Sequence, residues 1–68
     1  MRTDSLRMRL RIYLRREAYV WVSLRGQQDV NFGWILGYRR GGHVVFKAEH
    51  APRAVGIAVR EIESCGAV

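Results

Sequence analysis

From Leu6 to Arg15 the chain alternates without a break. Leu6, Met8, Leu10, Ile12 and Leu14 are apolar, and Arg7, Arg9, Arg11, Tyr13 and Arg15 separate them. A period of two describes a strand with one greasy face and one cationic face. The residue types argue differently. Leu, Arg and Met are good helix formers, and Thr3 or Asp4 is placed to cap a helix. A helix would gather Leu6, Leu10, Tyr13 and Leu14 on one face and turn Met8 and Ile12 to the other side. Periodicity supports a strand and propensity supports a helix, so the residues alone leave both open.

Beyond Ala18 the pattern is β. Tyr19–Leu24 is rich in β-branched and aromatic residues, with Val20, Val22 and Leu24 on one face. Arg25–Asp29 is a polar loop. A second strand is expected from Val30 to about Arg40, bending at Gly33. Gly41-Gly42 reads as a two-residue hairpin turn, because both positions accept the positive φ that such turns require. That turn would set Arg40 opposite His43, Tyr38 opposite Val45, and Gly37 opposite Phe46, whose ring could cover the bare glycine backbone. The return strand is His43–Ala48. Pro52 breaks the following loop, and Val55, Ile57 and Val59 alternate as another strand. The phase slips at Arg60-Glu61-Ile62, as one turn of 3₁₀ helix would cause. Ser64–Val68 reads as a short last strand or a tail. The expected fold is mainly β: a small SH3-like or Sm-like barrel of four to five antiparallel strands, with an optional N-terminal helix, forming one domain over residues 1–68.

Size limits what such a fold can do alone. A chain of 68 residues buries only ~60% of its unfolded surface, so self-association is the expected extra source of stability. The single cysteine, Cys65, excludes an internal disulfide and points to a reducing, cytoplasmic setting. No apolar run approaches the ~20 residues that span a bilayer, and Arg2 is not followed by the apolar core of a signal peptide. No membrane association is expected.

Charge changes the picture most. The net charge is +6, and eleven of the twelve basic residues are arginine. A guanidinium fork binds phosphate oxygens in a bidentate way. Nucleic acid is therefore a natural partner, and an acidic protein surface is the alternative. The candidate phosphate contacts are Arg7, Arg9, Arg11, Arg15, Arg16, Arg39, Arg40 and Arg53, with Trp21 and Tyr38 as candidate stacking platforms for bases. The plainer reading of these residues is a solvated cationic face and a core or interface pair of aromatics. His43, Glu49, His50 and Cys65 lack zinc-like spacing, and no carboxylate pair suits acid–base work. No enzyme, metal or cofactor is expected.

Four stretches resemble the Sm-like family of small barrels, which includes the bacterial RNA chaperone Hfq. Leu14-Arg15-Arg16-Glu17 looks like the end of the family's N-terminal helix. Val20–Leu24 with Gly26 looks like the opening of its first motif. Gly33-Trp34-Ile35 looks like the bent second strand, and Val59-Arg60-Glu61-Ile62 like the fourth strand running into the turn before the fifth. The resemblance sides with the helix for residues 6–15. It implies a ring of subunits paired through edge strands and non-catalytic binding of nucleic acid, RNA more than DNA. The Tyr-Lys-His triplet of the family's uridine pocket is replaced here by Arg60-Glu61-Ile62, so that pocket is not carried over. The runner-up function is a protein-interaction module, such as a regulator encoded by a phage or mobile element that docks on an acidic surface.

Overall fold

The computed structural model describes residues 2–68, and side chains from Ser5 onward. The cap expected at Thr3 or Asp4 lies outside those side chains. A helix, α1, spans Arg2–Arg16 and is followed by five strands: β1 Tyr19–Leu24, β2 Asn31–Arg39, β3 His43–Ala48, β4 Val55–Ala58 and β5 Ile62–Ala67. A single 3₁₀ turn, η1, spans Val59–Glu61. The strands form one antiparallel sheet in the order β4-β3-β2-β1-β5. The fold is mostly β and barrel-like, and the barrel is not closed, because β4 and β5 do not pair.

The alternating segment is helical. Leu10 is fully buried, and Leu6, Tyr13 and Leu14 pack around it against the sheet, while Met8 is 65% exposed and Ile12 is 40% exposed. The strand pattern of residues 6–14 therefore gives way to a helix whose buried positions follow the 3.6-residue period. The helix ends in a Schellman motif. Ala18 N–H donates to the Tyr13 carbonyl at 3.0 Å and Glu17 N–H to the Leu14 carbonyl at 3.2 Å. Glu17 takes the left-handed conformation, φ 53°, that glycine usually supplies at this position.

The core lies on the concave side of the sheet. Val20 and Val22 from β1, Ile35 from β2, Val44 and Phe46 from β3, and Cys65 from β5 meet Leu10, Val59 and Ile62 there. Val59 belongs to η1 rather than to the alternating strand expected at Val55, Ile57 and Val59. The 3₁₀ turn carries it inward, whereas Val55 on the edge strand is 55% exposed. η1 also bridges the two ends of the sheet: Val59 N–H donates to Gly42 O at 2.7 Å, and Arg25 N–H donates to Glu61 O at 2.9 Å.

The β2–β3 hairpin corrects the expected register by one residue. Gly41 and Gly42 do take positive φ, 82° and 77°. The loop also takes in Arg40, however, so Arg39 rather than Arg40 faces His43, Tyr38 faces Val44, and Gly37 faces Val45. A bulge then omits Leu36 and brings Ile35 opposite Phe46. The bulge reverses the strand's parity, so that Ile35 and Tyr38, three residues apart, both turn toward the core. Leu36 is pushed out and is 55% exposed. The aromatic cover expected at Gly37 occurs instead at Gly66, where the Trp21 indole lies so close that an added Cβ would sit 2.8 Å from Nε1.

Gly33 is where two backbones touch: an added Cβ would sit 2.0 Å from Lys47 O. Gly33→Ala is expected to destabilise the fold by about 3 kcal/mol, since the obstruction is rigid strand backbone. Urea unfolding within 1 kcal/mol of wild type would refute that close approach. Glu17→Gly should act in the opposite sense and raise stability by about 0.5–1 kcal/mol by relieving the left-handed glutamate. A lower melting temperature for that variant would contradict the motif.

Candidate functional site

The helix fixes where most of the arginines go. Because Leu6, Leu10, Tyr13 and Leu14 are held inward, Arg7, Arg11 and Arg15 fall on one flank as an i, i+4, i+8 stripe. Arg9 and Arg16 fall on the other flank, with Met8 and Ile12 exposed between them. All five arginines are exposed.

The first stripe lies against the β2–β3 hairpin. The Arg11 guanidinium sits over the Tyr38 ring, 5.1 Å from its centroid. An added Cβ on Gly42 would lie 3.0 Å from Arg7 Nη2, so that guanidinium rests against the turn. Arg39 and Arg40, both exposed, belong to the same hairpin. Arg7 and Arg11 thus contact the hairpin that carries Arg39 and Arg40, while strand alternation turns Arg39, paired with His43, to the face of β2 opposite Tyr38. Arg53 stands apart. It lies in the loop after β3, at the opposite end of that strand from the hairpin.

Among the described residues little neutralises these arginines. Among the described residues the ion pairs are His50–Glu49 at 3.3 Å and Arg60–Glu61 at 4.0 Å, and neither involves a helix arginine. Six arginines share α1, and like charges four residues apart cost a helix about 0.2–0.5 kcal/mol per pair. Arg15 and Arg16 in the last turn recover part of this by facing the negative end of the helix dipole.

The two aromatics expected to stack bases do not share a surface. Tyr38 turns toward the core under Arg11, and its hydroxyl is buried without a hydrogen-bond partner. Trp21 lies on the opposite, convex face, half-buried beside Gly66 and opposite Phe32. That face carries an aromatic cluster the sequence did not disclose as a unit. Tyr19 stacks with Phe32 at 6.1 Å between ring centroids and meets Trp34 at 5.3 Å. The Tyr19 hydroxyl donates to Glu49, and this bond holds its pKa above the ordinary tyrosine value. The alternation of β1 marks Tyr19 and Trp21 as one face; the pairing with Phe32 and Trp34 needed the register.

Two arginines outside the candidate set, Arg25 and Arg60, group with Arg9. Arg25 Nε donates to Arg60 O at 2.8 Å, and Arg9 Nη1 reaches across to Cys65 O at 2.9 Å. Both bonds lie where α1 meets η1 and β5. No local pattern relates positions 9, 25 and 60, so nothing short of the fold could reveal the grouping. Burial pushes the Cys65 thiol pKa up, against the opposing pull of Arg9, which keeps this cysteine in the unreactive thiol form.

Because the Tyr38 hydroxyl has no partner, Tyr38→Phe is expected to preserve the ring beneath Arg11 and leave stability unchanged or raised by about 1 kcal/mol. Denaturant unfolding that showed a clear loss would assign the hydroxyl a structural bond.

Comparison with protein-family models, curated proteins and solved structures finds no match to this chain.

Proposed function

We propose that this protein binds nucleic acid, with RNA the favoured partner, by non-catalytic contacts of its exposed arginines. The observation that carries this reading is the junction of α1 with the β2–β3 hairpin. There Arg7 rests on Gly42 of the turn and Arg11 on Tyr38 of β2, in the hairpin that also carries Arg39 and Arg40, with no carboxylate paired to them among the described residues. Such an arrangement attracts phosphates regardless of base sequence. Arg9 and Arg16 extend the charge to the far flank of the helix, and Arg53 adds a separate contact. Phe32, 41% exposed beside Tyr19, offers a better base platform than Tyr38, and Trp21 lies next to it on the same face.

An Sm-like barrel is the family reading that fits this proposal. Its support is the order of elements: a helix, five antiparallel strands, and a 3₁₀ turn between the fourth and fifth. The same geometry supports self-association as part of this reading, since β4 and β5 each leave one edge unpaired within the chain. The lone cysteine is consistent with a reducing, cytoplasmic setting. No helix among the described residues is long and apolar enough to cross a membrane.

One observation favours a second reading. Met8 and Ile12 form an exposed apolar ridge between the two arginine stripes. A mixed surface of that kind also suits an acidic protein partner.

Titration against unstructured RNA separates the two. A protein contacting about six phosphates should lose roughly a thousandfold in affinity between about 50 and 200 mM salt. Changing Arg7, Arg11 and Arg15 together to Gln should weaken binding to all sequences alike and lower the salt slope by about one unit per lost contact. No binding at low salt would refute nucleic acid as the partner and leave the acidic protein surface. An unaltered slope in the triple variant would remove the helix stripe from the interface.

A further inference from the structure

The groove where α1 meets η1 and the start of β5 is a second cationic feature, with a shape the helix stripe lacks. It encloses about 390 Å³ and is lined by Leu6, Arg7, Arg9, Arg25, Arg60 and Glu63, among others. That volume falls in the range of small-ligand sites, ~300–1,000 Å³. The buried Val59 and Ile62 form part of its apolar floor.

Its guanidiniums are held in place. Arg9 Nη1 donates to Cys65 O at 2.9 Å, and Arg25 Nε donates to Arg60 O at 2.8 Å. Each bond uses one of the five N–H donors that a guanidinium carries, so the head group is oriented and the remaining donors are left for a ligand. Backbone bonds bring the arginines together from distant parts of the chain: Arg25 N–H on Glu61 O, and Val59 N–H on Gly42 O beside Arg7. Glu63 is the one carboxylate in the lining, against four arginines. Arg60 also approaches Glu61, at 4.0 Å and in exposed positions where such a pair contributes little.

We propose that this groove binds a terminal phosphate group, the phosphomonoester at the end of a nucleic-acid chain. The proposal rests on the nucleic-acid reading and assigns a second, separate contact to it. An internal phosphodiester carries one negative charge. A terminal monoester carries about 1.5 to 2 and presents three strong acceptor oxygens. Four guanidiniums around one concavity match the monoester, whereas the linear stripe of Arg7, Arg11 and Arg15 matches a run of diesters.

The test uses one short unstructured RNA with a phosphate at its 5′ end, at its 3′ end, or at neither, titrated at fixed low salt with inorganic phosphate as a separate ligand. At least one phosphorylated form should bind about tenfold more tightly than the hydroxyl-ended form, the effect of one added charge-assisted contact. Arg25→Gln and Arg60→Gln should each erase that advantage and leave binding of the hydroxyl-ended RNA in place. Both side chains are exposed, so the variants keep the fold, which circular dichroism checks. Arg53→Gln, outside the groove, should leave the advantage of the phosphorylated form intact, whatever it does to overall affinity. Equal affinity for all three RNAs would overturn the proposal while the nucleic-acid reading stands. So would an advantage that survives both groove variants. Inorganic phosphate binding as tightly as phosphorylated RNA would overturn the chain end as the ligand. Failure of every RNA to bind would refute the nucleic-acid reading itself, and the proposal with it.

Discussion

An open barrel needs a plug, and the rest of this structure depends on it. Five strands curve around a small core whose mouth would face water if α1 did not pack across it against β2 and η1. Leu10 fills that mouth and is fully buried, with Leu6, Tyr13 and Leu14 sealing its surroundings. Burying a leucine side chain contributes about 1.5–3 kcal/mol, a large share of the stability a 68-residue domain can hold. η1 completes the seal from the opposite side, through one backbone bond to the hairpin and one to the end of β1.

The position of Leu10 determines the electrostatics. With that face held inward, the remaining helix positions are solvent-facing, and five of the described ones are arginine. The side chains nearest the sheet then find anchors: Arg7 on Gly42, Arg11 on the Tyr38 ring, and Arg9 on the Cys65 carbonyl. These contacts order the guanidiniums without neutralising them. A fold that concentrates like charge in this way forgoes helix stability.

Two shapes of positive surface result. The hairpin side is an extended row suited to a polyanion, and the η1 side is a concavity suited to one compact, highly charged group. They share Arg7, which touches the turn on one side and lines the groove on the other. The aromatic face of Tyr19, Trp21, Phe32 and Trp34 lies on the convex surface of the same sheet.

Local chemistry made the strands legible in the sequence. Tyr19–Leu24 could be read because β-branched and aromatic residues alternate there. The left-handed Gly41-Gly42 could be read because only glycine accepts that backbone freely, and η1 showed as a break in phase at Arg60-Glu61-Ile62. The two arginine stripes followed from helical geometry once the helix was assumed. Tertiary structure decided what local signals left balanced. Residues 6–14 satisfy a period of two as well as a helix, and burial of Leu10 in the open mouth made the helix win. The hairpin register slipped by one because a bulge at Leu36 lets both Ile35 and Tyr38 reach the core, a benefit that exists only once the sheet has curved. The meeting of Arg9, Arg25 and Arg60 was invisible for the same reason: their proximity is a property of backbone bonds between distant segments, not of any spacing along the chain.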